Sequence, residues 1–296
     1  MAAVTGALPA AQAGTITLGG DLTVNRMGYG AMRITGPGIW GPPADRAGAV
    51  ATLRRAVELG VNFIDTADTY GPDVSEELIA EALHPYPAGL VIASKAGWTR
   101  PGPMLWTHNA SPAHLEKALE GTLKRLRLER IEVFQLHVPD PAVSFDASME
   151  TLARLREQGK IRHVGLSNVT LEHVERARKI VPIVSVQNRY SFSDREWDYL
   201  VDHCEAHDIA FLPWGPMAQG KKANEAVEKI AANRGVSTAV VSLAWLLRRS
   251  PVILPIPGTA SIPHLEENTR AAAFRLSDAE FAELNAVKPK PFWLRG

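Results

Sequence analysis

An α/β fold, a closed (β/α)8 barrel of the TIM type preceded by an N-terminal β-hairpin, is predicted by three features of this 296-residue chain. Short apolar runs alternate with helical stretches eight times from Met27 onward. The runs are apolar throughout rather than alternating with polar residues, as expected of parallel strands covered on both faces. The length suits one such unit, since barrels of this kind commonly take about 250 residues or more as a single domain.

Each element has its own local reason. Residues 1–14 are Ala- and Gly-rich, with neither the basic start nor the long apolar stretch of a signal peptide, and are expected to be disordered. Residues 15–288 are expected to form the barrel and 289–296 a C-terminal tail. Two alternating runs, Thr15 to Leu18 and Leu22 to Asn25, flank Gly19-Gly20-Asp21 and predict the hairpin. Met27 to Ala31 predicts the first barrel strand, and the Pro/Gly-rich stretch from Gly36 to Pro43 a loop. Asp45 is placed to cap a helix whose Val50, Leu53, Ala56 and Val57 share one face and which ends at Gly60. The second strand is Val61 to Asp65, and the helix after it is read from Ser75, as its cap, to Leu83.

Leu90 to Lys95 predicts the third strand, followed by a long loop from Ala96 to Ala110. Ser111-Pro112 opens a helix with a stripe of Leu115, Ala118, Leu119, Leu123 and Leu126. The fourth strand, Ile131 to Leu136, ends at His137. The second half repeats the pattern, with strands at His163 to Leu166, Ile183 to Val186, Ile209 to Pro213 and Val252 to Ile256. Helices are predicted between them at 147–158, 171–180, 195–207, 224–233 and 238–249.

Composition narrows the function classes. Thirty-two basic and thirty-two acidic side chains cancel, so net charge provides no footprint for nucleic acid or an anionic membrane. No run approaches the roughly eighteen uninterrupted apolar residues of a membrane helix. Cys204 is the single cysteine, which precludes an intrachain disulfide and suits a cytoplasmic protein. The expected partner is a small molecule.

In a barrel, residues far apart in sequence converge at the C-terminal ends of the strands. Those ends carry Asp65 with Tyr70 in the following loop, then Lys95, His137, Ser167-Asn168, Gln187, Trp214 and Pro257-Gly258-Thr259. Each residue alone has an ordinary role: a solvated lysine, a satisfied core histidine, an Asx-turn, a packed tryptophan. Their convergence on one face argues for chemistry. The strand ends hold no metal-ligand grouping, and neither G-x-G-x-x-G nor G-x-S-x-G occurs. Tyr, Lys, Asp and His form a set suited to moving a proton: an ammonium favours the ionised form of a nearby phenol, and a histidine can orient a carbonyl oxygen.

With these residues in place, the chain resembles the aldo-keto reductases, barrel enzymes that use NADP(H) without a Rossmann fold. The resemblance covers roughly residues 15 to 288 and rests on Phe63-Ile-Asp-Thr-Ala-Asp-Thr-Tyr-Gly71, Ser94-Lys95, Leu136-His137, Gly165-Leu-Ser-Asn168 and Gln187-Asn188. It implies that Tyr70 is the general acid, Lys95 and His137 its tuning and orienting partners, and Asp65 the counter-ion of Lys95. It further implies that Ser167, Asn168 and Gln187 hold the nicotinamide carboxamide, that Trp214 stacks under the ring, and that Gly215 and Met217 line the pyrophosphate. Gly258, Thr259, Ser261, His264, Glu267 and Asn268 match the segment that clasps the adenosine and 2′-phosphate.

Two departures weaken the expected hold on that phosphate. Gly258 stands where well-known members carry a basic residue, and His264 where they often carry an arginine. Arg270 is the nearest cation downstream. Within the family, Gly28 to Met32 and Gly36 to Pro43 are similar to bacterial members that reduce pyridoxal, so pyridoxal becomes a candidate substrate. Met32, Trp40, Trp98 and Trp106, with Phe292-Trp293 from the tail, are the expected pocket wall. The leading expectation is an NADPH-dependent reductase of a small aldehyde or ketone. A cofactor-binding regulatory subunit resembling the potassium-channel β subunits is the alternative, and a Schiff-base lyase using Lys95 the third reading.

Overall fold

The computed structural model describes residues 8–217 and 221–287, excluding the side chains of residues 221 and 222. Phe292-Trp293, expected in the pocket wall, therefore lie outside the described residues. A seven-stranded parallel sheet runs in the order β11-β10-β9-β8-β5-β4-β3. Its strands are β3 (Tyr29–Gly30), β4 (Phe63–Asp65), β5 (Val91–Ala96), β8 (Ile131–Leu136), β9 (Ile161–Ser167), β10 (Ile183–Gln187) and β11 (Ala210–Phe211).

The eighth position is filled by residues 252–257, which are not a regular strand. Pro255 and Pro257 carry no N–H and cannot complete a ladder. The segment nevertheless closes the ring. On one side Phe211 N donates to Val252 O and Leu254 N to Phe211 O, both at 2.9 Å; on the other Gly28 N donates to Pro255 O at 2.9 Å. The seam requires glycine. A Cβ on Gly30 would sit 2.6 Å from Ile256 O, and one on Gly258 would sit 2.6 Å from Gly30 O. The basic residue expected of Gly258's position in other members has no room here.

Period-two alternation divides the strand side chains between two cores. Phe63, Val91, Ala93 and Val133 face the lumen with Val184, Leu212 and Leu254, while Ile64, Ile92, Phe134 and Leu136 join the larger core beneath the helices. One step further toward the C-terminal end of the strands, the lumen turns polar at Asp65, Lys95, Gln135 and Gln187. The opposite end is stoppered by the hairpin β1 (Thr15–Leu18) and β2 (Leu22–Asn25), whose Leu18, Leu22 and Val24 complete the inner core. Its turn uses Gly19 and Gly20 at positive φ, and Asp21 there bonds Arg162 and His163 on β9.

The helices are α1 (Arg46–Glu58), α2 (Val74–Leu83), α3 (Pro112–Leu126), α4 (Phe145–Glu157), α5 (Leu171–Arg178), α6 (Asp198–Ala206), α7 (Lys221–Arg234), α8 (Thr238–Arg249), α9 (Ile262–Arg270) and α10 (Asp278–Asn285). Asp45 caps α1 through Gly48 N, and Ser111 caps α3 through His114 N, as predicted. Among the described residues, no single helix is long and apolar enough to cross a membrane.

Three local expectations are corrected. Pro9–Ala13, expected to be disordered, forms a 3-10 turn with Ala10 buried and its N–H bonded to Leu59 O at 2.9 Å. The 96–110 loop is a hairpin, β6 (Trp98–Gly102) against β7 (Leu105–His108). Ser75 is not the cap of α2: it lies one residue inside the helix, where its hydroxyl bonds Thr66 Oγ1 and Ala31 O and so fastens the helix to two strand ends.

Glu76, which a sequence reading treats as a first-turn helix carboxylate, is wholly buried between α2, α3 and β5. It accepts from Ser94 Oγ at 2.5 Å, Thr122 Oγ1 at 2.9 Å and Arg125 Nε at 2.6 Å, and Arg125 also reaches Asp73 at 3.1 Å. Replacing Arg125 by methionine leaves a buried carboxylate with hydroxyl donors but no cation. The expected outcome is a loss of about 3–5 kcal/mol in urea unfolding, with part of it recovered when Glu76→Gln is added.

Candidate active site

Lys95 is a lysine with no solvent exposure, on the lumen side of β5. Its Nζ donates to Asp65 Oδ2 and to Thr66 O, both at 2.7 Å, and it lies 5.0 Å from the centroid of the Tyr70 ring. Burial works against the charge, yet Asp65 and Tyr70 outweigh it and hold the ammonium above its ordinary range. A lysine held charged in this way is no nucleophile, which tells against the lyase reading.

Asp65 is fixed in turn by amides from two further strands. Gln187 Nε2 donates to Asp65 Oδ1 at 2.8 Å, and Gln135 Nε2 approaches the same oxygen at 3.5 Å. Gln187, expected to hold the carboxamide, has its amide nitrogen engaged inside the lumen. β4, β5, β8 and β10 thus each contribute one side chain to a single polar layer.

Tyr70 enters this layer from the loop after β4. The loop is a tight turn, with Tyr70 N bonded to Ala67 O at 3.2 Å and Ser75 N bonded to Tyr70 O at 3.0 Å. Burial pushes the phenol up, and the Lys95 ammonium pulls it part of the way back. The sequence-based expectation that the cation would dominate is therefore reversed: dry surroundings win, and Tyr70 rests protonated. Nearby Asp68 is pushed well above the usual carboxylate range by burial and by the Glu76 charge.

His137 follows β8, its ring edge-on to Tyr70 with centroids 6.0 Å apart. Burial and the Lys95 charge hold its imidazole well below the usual histidine range, so it is neutral at pH 7. Trp98 and Trp106, from the β6–β7 hairpin, approach His137 at 6.5 Å and 6.3 Å. Trp40 is joined to Gly71, next to Tyr70, by a parallel bridge. Met32 is half-buried in the 3-10 turn Ala31–Ile34 after β3. Trp98 and Trp106 thus stand beside the imidazole, and Trp40 is tied to the residue after the phenol.

The remaining strand ends form a second zone. Ser167 closes β9, and Asn168 adopts a positive φ of 56°, a conformation asparagine tolerates better than most residues. Its side chain donates to His137 O at 3.0 Å and to Ser167 Oγ at 3.1 Å, and accepts from Trp214 Nε1 at 3.2 Å. That last bond pins the edge of an indole that is 38% exposed, and the Arg189 guanidinium lies over its ring, 5.6 Å from the centroid. Gly215 follows at a φ of 64° and Met217 is partly exposed beyond it.

Met217 also borders a cavity of about 500 Å³ between α7, α8 and the 258–268 segment. Gly258, Thr259, His264, Glu267 and Asn268 line it, whereas Ser261 and Arg270 do not. Ser261 is the N-cap residue of α9, its N–H bonded to Thr259 Oγ1 at 3.0 Å. Asn224, Glu228, Ser237, Thr238 and Ser242 complete the polar lining and escaped sequence reasoning. They sit on helices recognised only by apolar periodicity, where a polar residue reads as a solvated face, and Ser237 additionally reads as the cap that it is. Among the described residues, no group of acidic, His or Cys side chains is arranged to hold a metal.

A part-exposed indole beside the buried Lys95–Asp65 layer, joined through Met217 to a polar cavity, fits a dinucleotide. The stacking surface and the nucleotide-sized hollow lie in the order that such a molecule needs.

Comparison with known proteins agrees with this geometry. The sequence pattern of the Aldo/keto reductase family matches residues 26–289. An uncharacterised oxidoreductase of Schizosaccharomyces pombe is 45% identical over 285 residues, 96% of this chain and 92% of its own length. The pyridoxine 4-dehydrogenase of Escherichia coli is 43% identical over 280 residues, 92% of this chain and 98% of its own. Among solved structures, an aldo-keto reductase from Klebsiella pneumoniae in complex with NADPH superposes with a TM-score of 0.78 at 26% identity, covering 94% of this chain and 96% of that one. With its barrel, its lumen layer and a family match over nearly its whole length, this chain belongs to the aldo/keto reductase family.

Proposed function

We propose that this chain reduces small aldehydes or ketones with NADPH, and that pyridoxal is a candidate substrate. The observation that carries the reading is the buried Lys95 held charged between Asp65 and Tyr70. The cofactor follows from the fit of the Trp214 face and the 258–268 cavity, and from the NADPH complex of the Klebsiella pneumoniae relative. The substrate class follows from the aromatic wall and from the Escherichia coli pyridoxine 4-dehydrogenase at 43% identity.

Bound NADPH would supply a hydride to the carbonyl carbon. What the chain's own residues do is set by their charges. Tyr70, protonated at rest, gives its proton to the carbonyl oxygen as negative charge develops there, so that the aldehyde becomes an alcohol. Lys95 stabilises the phenolate left behind, and a solvent proton restores the phenol. Asp65 keeps Lys95 charged throughout. Neutral His137 directs the carbonyl oxygen toward Tyr70 by a hydrogen bond. Ser167 would present a hydroxyl to a bound carboxamide, and Asn168 would act by holding Trp214 in place for the nicotinamide ring. His264, the one ionisable base among the described lining residues, would meet the 2′-phosphate beside two carboxylates, Glu228 and Glu267. A loosened preference for NADPH over NADH follows.

Three measurements test the reading. Tyr70→Phe removes one oxygen from a buried ring; aldehyde turnover is expected to fall at least about 10³-fold while NADPH affinity, titrated by fluorescence, stays within about twofold. Comparable turnover in the variant would exclude Tyr70 as the donor. The pH dependence has a definite sign. A phenol raised above its ordinary value donates at full strength through neutrality and loses that capacity as pH rises through its own pKa. Alcohol oxidation, which needs the phenolate as base, is expected to climb over the same alkaline range. A reduction rate that instead falls between pH 5 and pH 7 would point to a different acid. Finally, kcat/KM with NADPH is expected to exceed that with NADH, and the reverse order would overturn the cofactor choice.

A further inference from the structure

Arg100, on β6, is a cation among Trp40 and Trp106 that the proton-transfer chemistry does not use. Its Nε donates to Leu105 O at 2.9 Å, its Nη1 to Ile39 O at 2.9 Å and Thr69 O at 3.0 Å, and its Nη2 to Gly38 O at 3.0 Å. Four of the five guanidinium N–H bonds thus end on backbone carbonyls from three separate segments. The flat group also lies 3.9 Å from the Trp106 ring and 5.6 Å from the Trp40 ring.

Two consequences follow. Ile39 precedes Trp40 and Thr69 precedes Tyr70, so one side chain sets the spacing between the Trp40 loop, the proton donor and the hairpin that carries Trp98 and Trp106. The second is electrostatic. Among the described residues no carboxylate pairs with Arg100, so its charge is not cancelled locally. Trp106 lies 3.9 Å from that charge, and its ring centre is 6.3 Å from that of His137, so the guanidinium is one aromatic ring away from the imidazole's neighbourhood. Positive potential therefore reaches the space beside His137 through an aromatic face.

We propose that Arg100 determines substrate specificity: it clasps the three segments into an aromatic slot beside His137, and its unpaired charge selects a flat aromatic aldehyde bearing an anionic ring oxygen. The proposal rests on the reading of the site as a carbonyl-reducing one. A neutral aldehyde of the same shape gains the stacking but not the Coulomb attraction. A small aliphatic aldehyde gains neither.

The test uses the full-length enzyme, NADPH and two probes, 4-hydroxy-3-nitrobenzaldehyde, ionised at neutral pH, and 3-nitrobenzaldehyde, which carries no ionisable group. The wild type is expected to favour the phenolate in KM by about tenfold, a factor that an unscreened charge at this range readily supplies. Arg100→Met should erase that ratio, whatever happens to kcat for both probes through the loosened Tyr70 loop. Arg100→Lys should keep much of the ratio while raising both KM values, because the charge remains and the fork is lost. NADPH titration by fluorescence verifies that each variant retains a folded cofactor groove. Should Arg100→Met not fold, the wild-type ratio and its decline below the pKa of the nitrophenol decide the matter alone. A wild type indifferent to ionisation, or an Arg100→Met enzyme with the ratio intact, overturns the proposal. Failure of the underlying reading looks different: no NADPH-dependent turnover of 3-nitrobenzaldehyde or propanal by the wild type.

Discussion

One buried ammonium constrains this molecule more than any other group. A lysine with no contact with water is tolerable only with a partner at hydrogen-bond distance and with its other N–H groups engaged. Lys95 has Asp65, the Thr66 carbonyl and the Tyr70 phenol. Asp65 in turn needs donors, and these come from Gln187 and Gln135. The four residues lie on β4, β5, β8 and β10, whose pairings align Asp65 with Ala93 and Lys95 with Gln135. A slip of one residue would turn Lys95 toward the helices and strand its charge in an apolar layer. The ion pair and the strand register therefore support each other, and the chemistry inherits its geometry from that agreement.

Closure of the barrel bears on cofactor binding for a similar reason. The last segment replaces a strand with a Pro-X-Pro stretch, held by a few backbone bonds and by two glycines packed back to back. Gly258 sits at that seam and also borders the nucleotide-sized cavity. Its lack of a side chain, which looks at first like the loss of a phosphate ligand, is a requirement of closure. The polar lining of that cavity comes instead from His264, the rest of the 258–268 segment and residues of α7 and α8.

The wall over the phenol is built from loops, and loops have no ladder to hold them. Here a guanidinium supplies the order. Arg100 does for the rim what Lys95 does for the lumen, with carbonyls and indole faces in place of a carboxylate. Deeper down, Glu76 and Arg125 fasten α2 to α3 beneath the Tyr70 turn. Three cations, each satisfied differently, thus hold the surroundings of Tyr70 in place.

The barrel, its hairpin stopper and most helix starts were legible in the chain because they depend on local chemistry. Apolar runs of strand length, Asp45 and Ser111 as caps and Gly19-Gly20 in the turn act within a few residues of themselves. Asp65, Tyr70, Lys95 and His137 were legible because a parallel barrel sends every strand's C-terminal end to one face, so position along a strand is already position in space. What the chain could not disclose depends on long-range contact. That Glu76 is a buried ion-pair partner, that Gln187 serves Asp65, that Arg100 joins three loops, and that burial outweighs Lys95 in setting the Tyr70 proton each require knowing which distant groups come near and how much water leaves with them. Sequence determined which groups stand at the strand ends; the tertiary structure decided which way their protonation is biased, because desolvation and partner distance exist only once the chain is closed on itself.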